Sequence, residues 1–276
     1  MVANSLQAGS GGRALHAQCS GPAGGPDVLL LHGLFGMGSN LGGLARALAA
    51  HYRVHQLDLP NHGRSPWQEA MSLGDLAAAV GAYAGRAVQA PFALVGHSLG
   101  GKVAMQLALD RPQQLAALVV ADIAPVAYPP SHERVFSAIE AVDAAAPKSR
   151  REALEIMASV LEDEGVRQFL ALSLARDEQG DYRWRFNVEA LRAGYDGLRA
   201  APAGSGASPV PLCLVYGGTS DYVDARGRDA AAALFPDLET VEIPGVGHWL
   251  HAEAPARFNA AVLNFLQRRV PAGTAK

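Results

Sequence analysis

Only two cysteines occur in the 276 residues, Cys19 and Cys213, far apart and each beside small or apolar neighbours. They read as buried reduced thiols and not as a disulfide, which fits a cytoplasmic setting. Charge is scarce and balanced: charged residues make up 18% and the net charge is −3, with a pI of about 6.3. No field of one sign draws the chain to nucleic acid or to an anionic membrane. Basic and aromatic residues do not interleave as a nucleic-acid surface requires. Apolar runs such as 28–31 are far short of a membrane span. Residues 1–12 have neither a basic start nor an apolar core segment, so no secretory signal is expected. No repeat recurs. The pairs His132-Glu133 and His251-Ala252-Glu253 lack the partners that a zinc site needs, so neither a metal nor a cofactor is expected.

What the chain does have is apolar residues, 49% of the total, enough for the ample core of a globular protein. Short apolar runs followed by turn residues stand at 28–31, 52–57, 92–95, 115–121, 212–216 and 238–243. Helical patterns at 41–50, 73–89, 102–110, 225–235 and 255–269 fall between or after them. Strands alternating with helices predict an α/β fold, a mostly parallel sheet covered on both faces. Ligands bind outside the C-terminal ends of such strands. The alternation stops across 125–207, which is richer in charge and reads as several helices, for example 149–161 and 165–174, with no clear strand. This block is expected to lie over the strand ends as a helical cap, dividing a discontinuous core (1–124 and 208–276) from a cap (125–207).

One pentapeptide carries chemistry. Gly96-His97-Ser98-Leu99-Gly100 lies between an apolar run and a helical pattern. A strand, a sharp turn and a helix would hold Ser98 in a strained conformation, with its hydroxyl above the sheet edge. The flanking glycines are needed where strand and helix backbones pass too close for a Cβ. A serine nucleophile needs a base, and an acid that fixes the base's tautomer. His248, in Gly247-His248-Trp249 after the last strand, is the candidate base, whereas His251 would already be entering the helix and pointing elsewhere. Asp122 ends one strand and Asp221 follows the next, so either could be the acid. The oxyanion needs two backbone N–H donors, expected from Leu99 and from Leu34 in the loop after the first strand. That loop also suggests a dinucleotide site, with Gly33, Gly36 and Gly38 followed by Asp58. Leu41 stands where the third glycine belongs, so that reading fails.

These residues resemble the α/β-hydrolase superfamily. More narrowly, Asp122-Ile123-Ala124-Pro125-Val126 and Arg183-Trp184-Arg185-Phe186-Asn187 are similar to segments of the YbfF-type esterases and their mitochondrial abhydrolase relatives. Further matching segments are Leu31 to Gly36, Asp58-Leu59-Pro60-Asn61-His62-Gly63-Arg64-Ser65, Gly96 to Lys102 and Gly247 to Glu253, so nearly the whole chain is covered. The resemblance implies the α/β-hydrolase fold with a helical cap inserted after strand 6, Ser98 as nucleophile and His248 as base. It favours Asp122 as acid, from the sixth strand, with Asp221 as the alternative. It implies a serine esterase acting on short to medium acyl esters, thioesters included. Phe35, His97, Phe136, Trp184, Phe186 and Trp249 are candidates to line the substrate pocket. The triad does not choose the leaving group, so carbon–carbon hydrolysis, perhydrolysis or a slow ligand-binding role are alternatives. The expected partner is a small-molecule ester.

Overall fold

The computed structural model describes residues 14–69, 71–177 and 180–271. The expectation about a secretory signal falls on residues outside that set. Among the described residues the strands are β1 (Ala17–Ser20), β2 (Asp27–Leu31), β3 (Arg53–Leu57), β4 (Phe92–His97), β5 (Leu115–Ala121), β6 (Leu174–Arg176), β7 (Tyr182–Trp184), β8 (Leu212–Gly217) and β9 (Leu238–Ile243). The α-helices are α1 (Gly42–Leu48), α2 (Leu73–Ala87), α3 (Leu99–Asp110), α4 (Glu133–Ala145), α5 (Arg150–Ala158), α6 (Glu164–Leu172), α7 (Val188–Ala193), α8 (Tyr195–Arg199), α9 (Ala225–Leu234), α10 (Leu250–Glu253) and α11 (Pro255–Arg269).

Seven strands form one sheet in the order β1-β3-β2-β4-β5-β8-β9. Only β1 runs antiparallel to its neighbour; every other pairing is parallel. The central strands are unbroken apolar runs because both sheet faces are covered. Val28, Leu30, Val95 and Val119 point to one core, with α1 and α11. Leu29, Leu31, Leu94 and Leu118 point to the other, with α2, α3 and the helices between β5 and β8. Five of the described helices, α2, α5, α6, α7 and α9, start on a side-chain cap. Ser72 accepts the Asp75 N–H at 3.1 Å while the Asp75 carboxylate accepts the Ser72 N–H at 2.9 Å.

Chain direction across the sheet reverses between β2 and β4, and the C-terminal ends of β2, β4, β5, β8 and β9 share one edge. A crevice opens at such a reversal. The helices α4 to α8 all follow β5, the fifth strand in chain order, and precede β8.

Three readings of the sequence need correction. The 125–207 segment does contain strands: β6 and β7 form a two-stranded hairpin, each strand only three residues long and so without readable periodicity. Strand β1 went unread because Ala-Gln-Cys-Ser is a mixed, half-exposed edge. Cys19 lies on that edge and is exposed, not buried, whereas Cys213 is buried as expected.

Candidate active site

Ser98 follows β4 directly and caps α3, with φ 53° and ψ −119°. This left-handed conformation costs a non-glycine residue roughly 1–3 kcal/mol. Its backbone bonds hold it there. Its N–H donates to Ala121 O at 3.0 Å, and its carbonyl accepts from the N–H groups of Gly101 at 2.9 Å and Lys102 at 3.2 Å. A Cβ at Gly96 would run into the Gly100 carbonyl, and one at Gly100 would come within 2.6 Å of the His32 carbonyl oxygen. The glycine requirement read from the motif is a steric one.

His248 lies on the loop between β9 and α10. Its Nε2 is 3.1 Å from Ser98 Oγ, and its Nδ1 is 2.7 Å from Asp122 Oδ2. With the proton on Nδ1, that ring donates to the carboxylate and turns a free lone pair toward the serine. Asp122 is fully buried just past β5, with φ 51°. Its Oδ1 accepts the Gly217 N–H at 2.9 Å, and its Oδ2 also accepts the Ser220 hydroxyl. The Tyr222 ring stacks on the imidazole, with centroids 4.1 Å apart. His97 Nε2 donates to the His248 carbonyl at 2.9 Å and steadies the loop. Asp221 is exposed on the loop beside Ser220, and no bond joins it to His248.

Burial pushes the neighbouring imidazoles down, His132 and His251 each to about 4 and His97 well below its ordinary value. They are therefore neutral near pH 7 and add little repulsion to a charge forming on His248.

Two more histidines shape the loop after β2. His32 Nδ1 donates to Gly33 O at 2.8 Å and its Nε2 accepts the Leu59 N–H at 3.0 Å. His62 Nε2 accepts the Phe35 N–H at 3.2 Å, and Phe35 itself is left-handed, with φ 62°. Burial lowers His62 to about 3, so its acceptor lone pair persists at neutral pH. Asp58, considered above as a ribose ligand, instead accepts the Gly38 and Arg64 N–H groups at 2.7 and 2.9 Å. Among the described residues, the Leu34 and Leu99 N–H groups have no intramolecular acceptor. No three His, Cys, Asp or Glu side chains among those residues group as metal ligands.

A cavity of about 470 Å³ opens over Ser98, and Phe35, His97 and Trp249 line it. Phe136, Trp184 and Phe186 do not line it. They are buried behind Phe35, whose ring centroid lies 5.3 Å from that of Phe136 and 5.2 Å from that of Phe186, and Trp184 stacks on Phe186 at 5.1 Å. Large aromatic side chains serve core and pocket alike, so composition did not separate the two uses. His251 is also corrected: it lines the cavity, with its ring centroid 4.7 Å from that of His97. His132, Phe169 and Tyr222 are lining residues that the sequence reading missed. A second, smaller pocket of about 60 Å³ reaches Ser98 from the Leu99 side, between Ile123, Tyr128 and Leu198.

The profile of the alpha/beta hydrolase family matches residues 28–261. The chain belongs to that family. Within the family it is similar to the esterase YbfF of Escherichia coli, at 37% identity over 87% of this chain and 92% of the relative. It is also similar to the sn-1-specific diacylglycerol lipase ABHD11 of Mus musculus, at 35% identity over 87% of this chain and 81% of the relative. Among solved structures, a marine microorganism esterase superposes with a TM-score of 0.88 at 31% identity, covering 92% of this chain and 99% of that one. These hydrolase relatives span nearly the whole length of the chain.

Proposed function

We propose that this alpha/beta hydrolase cleaves carboxylic esters through an acyl-enzyme on Ser98, with His248 as base and Asp122 as the acid. As a serine carboxylic-ester hydrolase it belongs beside its esterase and lipase relatives. The observation that carries the reading is the unbroken line from Ser98 Oγ to His248 Nε2 at 3.1 Å and from His248 Nδ1 to Asp122 at 2.7 Å.

Ser98 Oγ attacks the ester carbonyl as His248 Nε2 takes its proton. The carbonyl electron pair moves to the oxygen, where the free N–H groups of Leu34 and Leu99 receive it. The tetrahedral adduct collapses, the C–O bond to the alcohol breaks, and His248 returns the proton to the departing oxygen. Water then repeats the sequence on the acyl-enzyme, releases the carboxylic acid and restores Ser98. Asp122 keeps the imidazole in the tautomer that accepts at Nε2 and stabilises the imidazolium.

Residues 125–207 act as a cap over the core formed by 1–124 and 208–276. Support for this comes from the Ser173 hydroxyl, which donates to the Phe35 carbonyl at 2.8 Å, and from His132, Val135 and Phe169, which line the cavity. The cytoplasmic setting is kept on the strength of two free thiols on different strands.

The substrate is a small-molecule ester with one bulky and one small arm. The cavity of about 470 Å³ falls in the ordinary range for small-molecule sites, roughly 300–1,000 Å³. The pocket of about 60 Å³ holds only a small group. Turnover should therefore be highest with p-nitrophenyl acetate and fall toward the octanoate, and a pH-stat comparison of methyl hexanoate, hexyl acetate and hexyl hexanoate tests the fit. At least one of the singly extended esters should exceed hexyl hexanoate in kcat/KM by about tenfold, since overfilling a packed pocket costs on the order of 1–3 kcal/mol. Equal turnover of all three would rule out the two-pocket account.

A further inference from the structure

Lys102 is an odd residue to find where it is. It lies in the first turn of α3, four positions past Ser98, and is almost completely buried. No carboxylate pairs with it among the described residues. Its ammonium donates instead to three backbone carbonyls: Val126 at 2.8 Å, Arg199 at 2.8 Å and Ala200 at 2.6 Å. Val126 stands at the start of the segment between β5 and β8, and Arg199 and Ala200 stand at the end of α8. The carbonyls of a helix's last turn lack intrahelical partners and carry partial negative charge. One cation therefore ties the entry and the exit of the inserted segment to the helix that follows Ser98. Burial presses the ammonium down to about 7, so the three acceptors oppose a real cost of desolvation. All three N–H donors of the charged form are used.

The contacts continue toward His248. The Tyr128 ring lies under the ammonium, 4.7 Å from Nζ to its centroid. The Tyr128 hydroxyl accepts the Ala124 N–H at 2.9 Å and donates to the Tyr222 carbonyl at 2.5 Å. Tyr222 is the residue whose ring stacks on His248. Lys102, Tyr128 and Tyr222 thus form a continuous path from the roots of the inserted segment to the imidazole, and its members also line the small pocket beside Ser98.

We propose that Lys102 is a positioning residue: it fastens both ends of the inserted segment to α3 and, through Tyr128 and Tyr222, holds the His248 ring in line with Ser98. The inference rests on the reading of Ser98 and His248 as the reacting pair. Orientation is where such a contact acts, since a small misplacement of a reacting group costs rate even when binding is intact.

Two variants of the full chain test it, Lys102→Met and Tyr128→Phe. The first removes the cation and keeps the stem; the second removes only the hydroxyl that reaches Tyr222. Two readouts are taken: kcat and KM for p-nitrophenyl acetate, and the downfield imidazole N–H proton resonance of His248, assigned by ¹⁵N labelling. Tyr128→Phe should lower kcat by about tenfold, leave KM within about twofold and move or broaden the resonance. Lys102→Met should do the same to a larger extent, and the double variant should lose less than the product of the two single losses. If Lys102→Met does not fold, Tyr128→Phe decides. The proposal is overturned if Tyr128→Phe, or folded Lys102→Met, keeps the wild-type kcat and resonance. It is equally overturned if kcat falls only as folded protein is lost. Absence of Ser98-dependent turnover in the wild type would instead defeat the ester-hydrolase reading, while the resonance would still report whether Lys102 positions His248.

Discussion

Ser98→Ala is expected to abolish ester turnover, lowering kcat by on the order of 10⁶-fold while the protein stays folded. The hydroxyl is the only group the substitution removes, and among the described residues its hydrogen bond is to His248. Alanine at φ 53° meets the same backbone strain as serine, so the melting temperature should change by no more than a few degrees. The cavity and the Leu34 and Leu99 N–H groups survive, so the variant should still bind esters and retain a slow residual hydrolysis above water. His248→Ala should cost about as much, and the double variant should be no worse than either single one, because the two groups act as one unit. Steady-state kinetics with p-nitrophenyl butyrate, beside circular dichroism, reads all three. Retention of more than about a hundredth of wild-type turnover in folded Ser98→Ala would place the chemistry elsewhere.

The second large effect separates the two aspartates. Asp122→Asn should lower kcat by on the order of 10⁴-fold, since an amide that donates to Nδ1 forces the proton onto Nε2, where a lone pair is needed. Asp221→Asn should leave kcat within about twofold, because that carboxylate is exposed and has no contact with His248. Both variants are measured with one substrate and checked for folding by thermal melts. A loss confined to Asp221→Asn in a folded protein would reverse the assignment of the acid.

The contrast between the aspartates also marks how far the sequence could be read. The turn around Ser98 was legible because its constraint is local: a serine between two glycines, a strand before it and a helix after it. The central strands were legible because burial on both faces writes an unbroken apolar run into each one. Between the two aspartates the residues alone decided nothing, and only the resemblance favoured Asp122. Its place beside His248 depends on the left-handed turn at Asp122 and on the Gly217 N–H that reaches it from β8, a contact spanning 95 positions. Nor could the sequence say which aromatic residues line the cavity. Phe35 does and Phe136 does not, although both are large, apolar and buried. His32 and His62 stood in recognisable segments, but their task, bracing the loop that presents the Leu34 N–H, appears only once Leu59 and Phe35 are seen to donate to them. Tyr222 left no signal beyond lying one residue past Asp221.

The central claim is a covalent one, and mass spectrometry tests it directly. Wild-type protein turning over a slow p-nitrophenyl ester is quenched in acid, digested and mapped. The account predicts an added acyl mass on the peptide containing Ser98, appearing with the p-nitrophenol burst and absent from Ser98→Ala. An acyl mass on another residue, or steady turnover in Ser98→Ala with no acylated peptide at all, would contradict it.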